Sequence, residues 1–254
     1  MNEENKISVV INTYNAEQHL RKVLDSVKDF DEVVVCDMES TDHTVEIAER
    51  YGARVVTFPK GEHKSAEPAR TFAIQSAQSP WVLVVDSDEI ITPELRQYLY
   101  RRIEEPNCPA GLYIARHNKL FGRYSRDWSH DYQLRFFVRE GTEWPPYVHT
   151  FPTVPGRTER IPTRYKMLHL ADEDFRNWVR KMNEYTDNEV DKKAARGFGV
   201  MALFFRPLWA FIRSFLIHGG FRNGCRGLLQ AVQWAIYQQI LVSKIIEKRL
   251  REQG

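Results

Sequence analysis

The sequence has few of the residues that cross-link small folds. Its 254 residues include three cysteines, Cys36, Cys108 and Cys225, which lie far apart and form no Cys-x-x-Cys pair. This spacing argues against a disulfide framework or a zinc site, and it fits a reducing compartment. No internal repeat or low-complexity tract is visible. The hydrophobic content of 43% and the charged content of 28% are ordinary for a globular protein that is long enough to bury a sizeable core.

A long hydrophobic run free of charge is also missing. The most apolar stretch, residues 198–218, is interrupted by Arg206, Pro207 and Arg213. Because a membrane-spanning helix needs about 20 apolar residues with few charges, this stretch is not predicted to cross a bilayer. The first six residues, MNEENK, are polar and precede a predicted strand, so we expect no signal peptide.

The net charge of +2 conceals a difference along the chain. Residues 192–254 contain 11 basic and two acidic side chains, whereas the rest of the chain contains 25 basic and 32 acidic ones. The tail therefore has a net charge of +9 and the remainder has −7. An acidic body with a basic tail predicts that the tail contacts something anionic, either a membrane surface or a nucleic acid.

Strands and helices alternate through the first 103 residues. Strands rich in Val and Ile are predicted over residues 7–14, 32–37, 53–58 and 81–86. Helices are predicted over residues 16–27, 43–52, 68–77 and 93–103, and Asn15 and Gln18 have the spacing of a capping box before the first of them. This alternation is typical of an α/β fold with a mostly parallel sheet covered on both faces. The polar strand ends NTYN, CDMESTD and DSDE then share the carboxyl edge, where such sheets bind ligands.

The second half of the chain is less regular. Strands are predicted over residues 111–122 and 132–138, and the chain becomes helical from Asp172, with a last helix over 228–250. Within residues 198–218, two arginines seven positions apart share one helical face and apolar residues line another, namely Arg206 and Arg213 against Phe204, Leu208, Phe211 and Phe215. This pattern is typical of a helix lying in a membrane interface, and packing on the catalytic domain is the alternative. The aromatic residues between the arginines favour lipid over a nucleic-acid backbone, so we expect no nucleic-acid partner.

The stretch LVVDSDEIITPEL, residues 83–95, places acidic groups directly after a buried strand. The carboxylates of Asp86 and Asp88 point to the same side of an extended backbone and repel each other unless a cation lies between them. Thr92 and Pro93 already provide an N-cap and a first helical residue, so the two acids are not needed as caps. Mg²⁺ and Mn²⁺ prefer carboxylate oxygens together with substrate phosphates. The stretch therefore predicts a metal–diphosphate site.

The order and spacing of these elements resemble a known enzyme family. The segments SVVINTYNAEQHL, EVVVCDMESTDHT and ARTFAIQSAQSPWVLVVDSDE are similar to the nucleotide-binding half of the inverting family-2 glycosyltransferases, which have the GT-A fold. The later segments DYQLRFF, YKMLHLADEDFRNWVRKMNEYT and FFRPLWAFIRSFLIHGGFRNGCRG resemble the subgroup that adds glucose to the inner core of bacterial lipopolysaccharide. The resemblance implies a nucleotide-sugar-binding half over residues 1–105, an acceptor and catalytic half over 106–190, and a basic helical tail over 191–254.

The resemblance also implies roles for single residues at the donor site. Thr13 and Tyr14 fall where the family contacts the nucleotide base, and Glu17 falls near the ribose. Asp37 matches the carboxylate that accepts a hydrogen bond from the uracil ring. Arg70 matches the arginine of the family's Ala-Arg-Asn motif.

This chain departs from the family at two of these places, with Thr71 where the asparagine is usual and Asn12 where many relatives have proline. Asp86 and Asp88 match the family's Asp-x-Asp motif, which implies a Mn²⁺ or Mg²⁺ cofactor with Asp88 as the direct ligand.

An inverting transfer also needs a general base. Asp131, in the segment SHDYQLR, matches the family's acidic catalytic motif, with His130 in place of the usual glutamate. A structural role for Asp131, as a strand cap or as a partner of Arg135, is the alternative, and Asp127 is the second candidate base. Two histidines are further candidates: His169 for a third metal contact and His149 for a phosphate or acceptor contact, although a structural role is more common for a single histidine.

Two other functions remain alternatives to a transferase. A nucleotidyltransferase normally has a glycine-rich, basic phosphate loop after the first strand, and NTYNAEQ contains neither glycine nor lysine. A non-catalytic nucleotide-sugar or membrane-binding relative would lack acidic residues that are present here. We therefore expect transfer of a hexose from a UDP-sugar to a membrane glycolipid at the cytoplasmic face of a bacterial inner membrane. UDP-glucose and a lipopolysaccharide inner-core heptose are the leading donor and acceptor.

Overall fold

A computed structural model describes residues 3–63, 65–126, 131–147, 150–171, 175–194 and 198–253. The chain forms two compact units. The first comprises Met1–His117 with Trp128–Leu170, and the second comprises Asn118–Asp127 with Ala171–Gly254. The units divide near residue 170, whereas the sequence predicted segment boundaries after residues 105 and 190, which stay predictions about function.

The first unit begins with the predicted alternation of strands and helices. The elements are β1 (Ile7–Thr13), α1 (Glu17–Val27), β2 (Glu32–Asp37), α2 (Thr44–Arg50), β3 (Arg54–Thr57), α3 (Glu67–Ser76), β4 (Trp81–Asp86), β5 (Glu89–Ile91) and α4 (Pro93–Ile103). The later strands are β6 (Gly111–Leu120), β7 (Arg123–Tyr124), β8 (Tyr132–Val138), β9 (Thr158–Arg160) and β10 (Lys166–His169). Beyond them lie α5 (Phe175–Ala194), α6 (Ala202–Ile212) and α7 (Cys225–Gln253).

The sheet runs in the order β3-β2-β1-β4-β8-β6-β10-β5, with β7 and β9 paired to β6. The four strands β3, β2, β1 and β4 are parallel, whereas β8 is antiparallel to both β4 and β6. The register pairs Asn12 with Asp86 and Thr13 with Asp37. The polar ends of three neighbouring strands therefore meet at one edge, as the sequence predicted.

Helices cover both faces of this sheet, and β1 is therefore buried along its whole length. Val9 and Ile11 belong to a cluster with the apolar stripes of α1, α2 and α4, while Val10 packs with α3. Alternate residues of a strand point to opposite faces, so each face has its own core. Full burial of one Leu, Val or Ile side chain stabilises a fold by about 1.5–3 kcal/mol, and these clusters hold more than 20 buried side chains of these three types.

The two predicted helix caps, at Thr92 and Asn15, have different outcomes. The Thr92 cap is confirmed, since its Oγ1 accepts a hydrogen bond from Leu95 N at 3.3 Å and Pro93 begins α4. The capping box at Asn15 is wrong. Asn15 has a positive φ of 48°, and its Oδ1 accepts a hydrogen bond from Thr41 N at 2.8 Å instead. A contact 26 residues away therefore replaces the local cap.

The second unit is helical, apart from β7 and the end of β6. Val190 of α5 packs with Leu241 and Ile245 of α7. Lys244 of α7 binds Asp187 at 2.7 Å and Asn183 Oδ1 at 2.8 Å, which joins the same two helices. In contrast, α6 buries none of its residues. Within the described ranges, no helix is long and apolar enough to cross a membrane.

Candidate active site at the edge of the sheet

Asp86 ends β4 and is held by two arginines. Arg70 of α3 donates to its Oδ1 at 2.8 Å, and Arg135 of β8 donates to its Oδ2. Both guanidiniums are almost fully buried, whereas 27% of the Asp86 side chain is exposed. Burial alone would raise the pKa of Asp86, but Arg135 and Arg70 outweigh it and hold this pKa well below its usual range. Asp86 is therefore ionised at neutral pH, and both of its oxygens are engaged.

Glu89, the third acid of the quoted stretch, is completely buried. Its Oε2 accepts the backbone N–H of Asp86 at 3.0 Å, and its Oε1 accepts from Arg135 at 3.3 Å and from Arg116 at 3.4 Å. Burial opposes the charge of Arg135, but Asp86 and Glu89 raise the pKa of this guanidinium. Glu89 thus joins the end of β4 to arginines from β8 and β6.

Asp131, the predicted base, is the next carboxylate in this network. Arg116 donates to it twice, from Nε to Oδ2 at 3.0 Å and from the backbone N to the backbone oxygen at 2.8 Å. Gln133 donates to its Oδ1 at 2.7 Å. The partner of Asp131 is therefore Arg116 and not Arg135, which was the expected alternative. One quarter of its side chain, 25%, remains exposed to solvent.

Asp88 differs from the other three carboxylates because its ion-pair partner among the described residues is a histidine. His169 Nε2, at the end of β10, lies 3.2 Å from Asp88 Oδ2. The pairing of β10 with β5 sets this approach, since His169 is in register with Glu89. The neighbouring backbone supports it too, because Leu170 N donates to Asp88 O at 2.7 Å. The side chains of Asp88 and His169 are 29% and 22% exposed.

The charges of this cluster show which carboxylate suits a cation. Three guanidiniums, Arg70, Arg116 and Arg135, are paired with three carboxylates, Asp86, Glu89 and Asp131. This leaves Asp88 beside His169, two of the three predicted metal ligands, while the third, Asp86, is paired with arginines. Within the part of the chain that the structure describes, no three His, Cys, Asp or Glu side chains form a group able to hold a metal ion. The Asp88 carboxylate fits Mn²⁺ or Mg²⁺ when substrate phosphates complete the coordination, whereas the imidazole of His169 is a less usual ligand for these hard cations.

Several buried donors near Asp86 have no hydrogen-bond partner among the described residues. They are Nε and Nη1 of Arg70, Nε of Arg135, Nε1 of Trp144 and the amide of Asn12. The Trp144 ring lies 4.5 Å from Arg70 Cζ and 5.8 Å from Arg135 Cζ. Unpaired buried donors are rare because each costs free energy. This group therefore suits an anionic or hydroxyl-rich ligand that would accept their hydrogen bonds.

Thr71, the residue that departs from the family's asparagine, has a structural task. Its Oγ1 accepts from Trp144 N and donates to Trp144 O, both at 2.9 Å. A short hydroxyl group therefore fixes Trp144 against Arg70.

The ends of β1 and β2 form a second buried group. Thr13 Oγ1 donates to Asp37 Oδ1 at 2.8 Å, and both residues are 2% exposed. Ser40 donates to the same carboxylate from its hydroxyl at 2.6 Å and from its backbone N at 2.8 Å. A carboxylate offers about four acceptor positions, so Asp37 retains capacity for one further donor.

Tyr14 and Glu17 extend this group towards solvent. Tyr14 is 46% exposed, and Lys60 Nζ lies 4.6 Å from its ring centroid. Glu17 opens α1, and its Oε2 accepts the backbone N–H of His43 at 3.1 Å. Glu17 N in turn donates to Asp42 at 3.2 Å. The predicted uridine residues therefore lie where β1 and β2 end and α1 begins, and hydrogen bonds join the segments that follow the two strands.

The predicted residues thus fall into two groups at one sheet edge. Thr13, Tyr14, Glu17 and Asp37 lie at the ends of β1 and β2, while Arg70, Asp86, Asp88, Asp131 and His169 lie around β4 and β5. The candidates Asp127, His130 and His149 lie outside the described residues. Glu89, Arg116 and Trp144 were not assigned roles from the sequence. Only Glu89 carried a signal, as the third acid after a buried strand.

The mixed sheet with helices on both faces and a strand-end carboxylate site defines the GT-A class of nucleotide-sugar enzymes. The sequence profile of glycosyl transferase family 2 matches residues 8–154, and the chain belongs to this family.

Two curated relatives match along nearly the whole chain. The lipopolysaccharide core biosynthesis glycosyltransferase LpsC of Rhizobium meliloti is 24% identical over 250 residues, covering 95% of this chain and 92% of LpsC. A glycosyltransferase of Rickettsia typhi is 26% identical over 274 residues, covering 98% of this chain and 89% of that protein.

The fold also matches a crystal structure of Staphylococcus aureus TarS, residues 1–349. The TM-score is 0.52 with 17% identity, and the match covers 98% of this chain and 92% of the TarS chain. TarS is a poly(ribitol-phosphate) β-N-acetylglucosaminyltransferase, and it has also been crystallised with UDP. At this identity the likeness establishes the GT-A fold.

Proposed function

We propose that this family-2 glycosyltransferase moves a hexose, glucose first among the candidates, from a UDP-sugar to the core of lipopolysaccharide or a related glycolipid. Inversion at the anomeric carbon and dependence on Mn²⁺ or Mg²⁺ belong to the same proposal. The full-length similarity to LpsC supports the acceptor class. The UDP complex of TarS supports the choice of uridine.

The main support for this proposal is that Asp86 and Asp88 have different partners. Two arginines neutralise Asp86, whereas Asp88 lies beside His169. Asp88 is therefore the carboxylate that suits a cation. Asp88 and His169 would hold the divalent cation, which would supply positive charge against the diphosphate leaving group. The unpaired donors of Arg70 and Trp144 belong to the group around Asp86 and would bind the donor substrate.

Uridine would bind at the ends of β1 and β2. The remaining acceptor position of Asp37 suits an N–H of the uracil ring. Tyr14 is exposed beside these buried groups and offers an aromatic face for the base. Thr13 and Ser40 hold the Asp37 carboxylate in place before the nucleotide arrives.

Asp131 is the proposed base of the transfer. The acceptor hydroxyl would attack the anomeric carbon from the face opposite UDP, forming the new C–O bond while the bond to the diphosphate breaks. The hydroxyl proton would pass to the Asp131 carboxylate. Arg116 and Gln133 hold this carboxylate in position.

The basic tail is proposed to bring the enzyme to its acceptor. Large apolar side chains of α6 are exposed, with Phe204 at 68%, Leu208 at 55% and Trp209 at 58%. Exposed apolar residues beside arginines are typical of an interfacial helix. Peripheral attachment to the cytoplasmic face of the inner membrane follows as the proposed location.

A donor screen tests the function directly. Purified protein would be mixed with UDP-glucose, UDP-galactose or a UDP-N-acetylhexosamine and a truncated lipopolysaccharide acceptor, and UDP release would be measured with Mn²⁺, with Mg²⁺ or with EDTA. We expect UDP-glucose to give the fastest acceptor-dependent release, and EDTA to abolish it. Turnover in EDTA would contradict the metal, and turnover with a GDP- or CMP-sugar alone would contradict the uridine site.

A further inference from the structure

The second unit contains an open cleft between α6, the turn that follows it and α7. The cleft has a volume of about 690 Å³. Its lining combines aromatic rings with hydrogen-bond donors, chiefly Phe205, Arg206, Trp209, Arg213, Trp234 and Gln238. We propose that this surface, the Trp209 cleft, binds one anionic phospholipid, with the phosphate at the arginines and the chain against the aromatic rings.

The charge of the cleft is of one sign. The sequence contains no acidic residue between Asp191 and Glu247. Arg206 donates to Gln238 Oε1 from Nε at 3.3 Å and from Nη2 at 3.2 Å, so its partner is neutral. Arg213 Nε donates to His218 Nε2 at 3.3 Å. Among the described residues, no carboxylate pairs with either arginine, and the positive charge is left for an external anion.

The apolar part of the lining decides between kinds of anion. Phe205, Trp209 and Trp234 are 59%, 58% and 51% exposed. Monomeric proteins rarely expose large apolar groups side by side unless they meet a partner there. Free phosphate and nucleic-acid backbone would leave these rings in water, whereas a lipid would cover them. The combination therefore favours an amphiphile with a phosphate group.

Backbone geometry holds the cleft open. Residues Arg213–Ile217 form a π-helical turn, a rare element that often occurs at functional sites. Glycines then allow the chain to return closely along α7, because a Cβ on Gly227 would lie 1.8 Å from Gly220 O. Gly219 has a φ of 76°, which favours glycine. Arg213, which begins the π-helical turn, and His218, which follows it, both line the cleft.

The Trp209 cleft makes the proposed membrane contact more specific, since one lipid site takes the place of a diffuse basic surface. It does not depend on the transfer reaction. Binding of dihexanoyl-phosphatidylglycerol, below its micellar concentration, would be measured by calorimetry on the full chain. Matched arms would use dihexanoyl-phosphatidylcholine and inorganic phosphate.

We expect one phosphatidylglycerol to bind per chain and phosphate alone not to compete. The double variant R206Q/R213Q should bind about 30-fold more weakly, because each arginine near a lipid phosphate contributes about fivefold. The matched double variant R123Q/R251Q removes the same charge from the second unit outside the cleft, and we expect it to bind within about threefold of the original protein.

Three results would overturn the site. Equal losses in the two double variants would indicate diffuse charge, equal affinity for phosphatidylcholine would indicate a purely apolar surface, and competition by inorganic phosphate would indicate a phosphate site. Should R206Q/R213Q fail to fold, the single variant R213Q keeps the test, because Arg206 and its partner Gln238 stay unchanged. UDP release measured on the same samples separates the two proposals, since an enzyme that transfers sugar but binds no phosphatidylglycerol refutes only the cleft.

Discussion

In the first unit, guanidiniums and carboxylates are buried against each other, whereas the second unit keeps its arginines beside exposed aromatic rings. Arg135 is 4% exposed and is paired with two carboxylates. Arg206 contacts two uncharged groups, the amide oxygen of Gln238 at 3.3 Å and the Phe198 ring at 4.4 Å. The charge of the site in the first unit is therefore matched within the fold, while Arg206 and Arg213 in the second unit have no carboxylate partner among the described residues.

The difference separates two uses of the same residue type. Buried charges must be paired because desolvation costs several kcal/mol per ion, and a paired arginine then fixes the position of a reacting group. Exposed arginines cost little stability and contribute binding energy only when an anion arrives. Substitutions should therefore affect activity and stability in the first unit, and binding alone in the second.

The largest expected effect is on the proposed base. Replacing Asp131 by Asn should lower the rate of transfer by about 10²–10⁴-fold, the usual contribution of a general base. Binding of UDP should change little, since Asp131 is not one of the residues proposed to bind uridine or the diphosphate. Single-turnover kinetics with UDP-glucose would measure the loss, and D127N serves as the matched control. A full loss in D127N with normal turnover in D131N would move the base to Asp127.

A second effect compares the two units in stability. Asp86→Asn leaves Arg70 and Arg135 buried without their shared anion, and we expect the free energy of unfolding to fall by about 3–5 kcal/mol. Arg213→Gln removes an exposed charge and should change it by less than about 0.5 kcal/mol. Urea denaturation measures both. Similar changes in the two variants would remove the contrast between buried and exposed charge.

The pH dependence of stability should follow the same cluster. The pKa of Asp86 is lowered in the folded protein, so its ionised form stabilises the fold above the unfolded pKa of about 3.9, and this stability is lost as the pH falls through the folded pKa. Burial would raise the pKa of Glu32, but hydrogen bonds from Ser8 and Gln78 lower it overall, and the same sign applies.

We therefore expect the free energy of unfolding to be nearly constant from about pH 8 to 5 and to decrease below about pH 4. Urea denaturation at a series of pH values would measure this. The decrease should be shallower in D86N, because one of the titrating groups is gone. An unchanged slope in D86N would show that Asp86 is not ionised and paired as described.

The smallest effect concerns a residue outside both charged regions. Thr92→Ala removes the side-chain cap of α4 and should cost about 1 kcal/mol of stability. Thr92→Ser retains the hydroxyl and is the matched control, with a change of a few tenths of a kcal/mol. Both are measured by urea denaturation. A loss above about 2 kcal/mol would mean that the hydrogen bond from Thr92 to Lys166 O also matters.

The sequence predicted the parallel half of the sheet well, because β1, β2 and β4 are continuous apolar runs whose ends are polar. It missed β5, β9 and β10, which have three or four residues each and no period long enough to detect. Asn15 shows a related limit of local patterns, because its side chain accepts a hydrogen bond from Thr41 N and does not form the predicted capping box.

The candidate site residues divide in the same way, into those that a sequence pattern could place and those that depend on contacts between distant parts of the chain. The strand ends at Thr13, Asp37 and Asp86 could be predicted because parallel strands align their carboxyl ends. The partners of Asp86 and Asp131 could not, since Arg135 is 49 residues from Asp86 in the chain and Arg116 precedes Asp131 by 15. Arg135 belongs to the segment that resembles the family's catalytic motif, but no pattern pairs it with Asp86, and no pattern distinguishes Arg116 from the other arginines.

The most direct test of the account is a titration of Mn²⁺ in the presence of UDP, followed by electron paramagnetic resonance, on the original protein and on Asp88→Asn. We expect D88N to keep its fold and to bind Mn²⁺ more weakly than the original protein. The loss of affinity should exceed the roughly 10–100-fold that removal of an outer-shell partner costs. Unchanged Mn²⁺ affinity in D88N would contradict the claim that Asp88, and not Asp86, holds the metal.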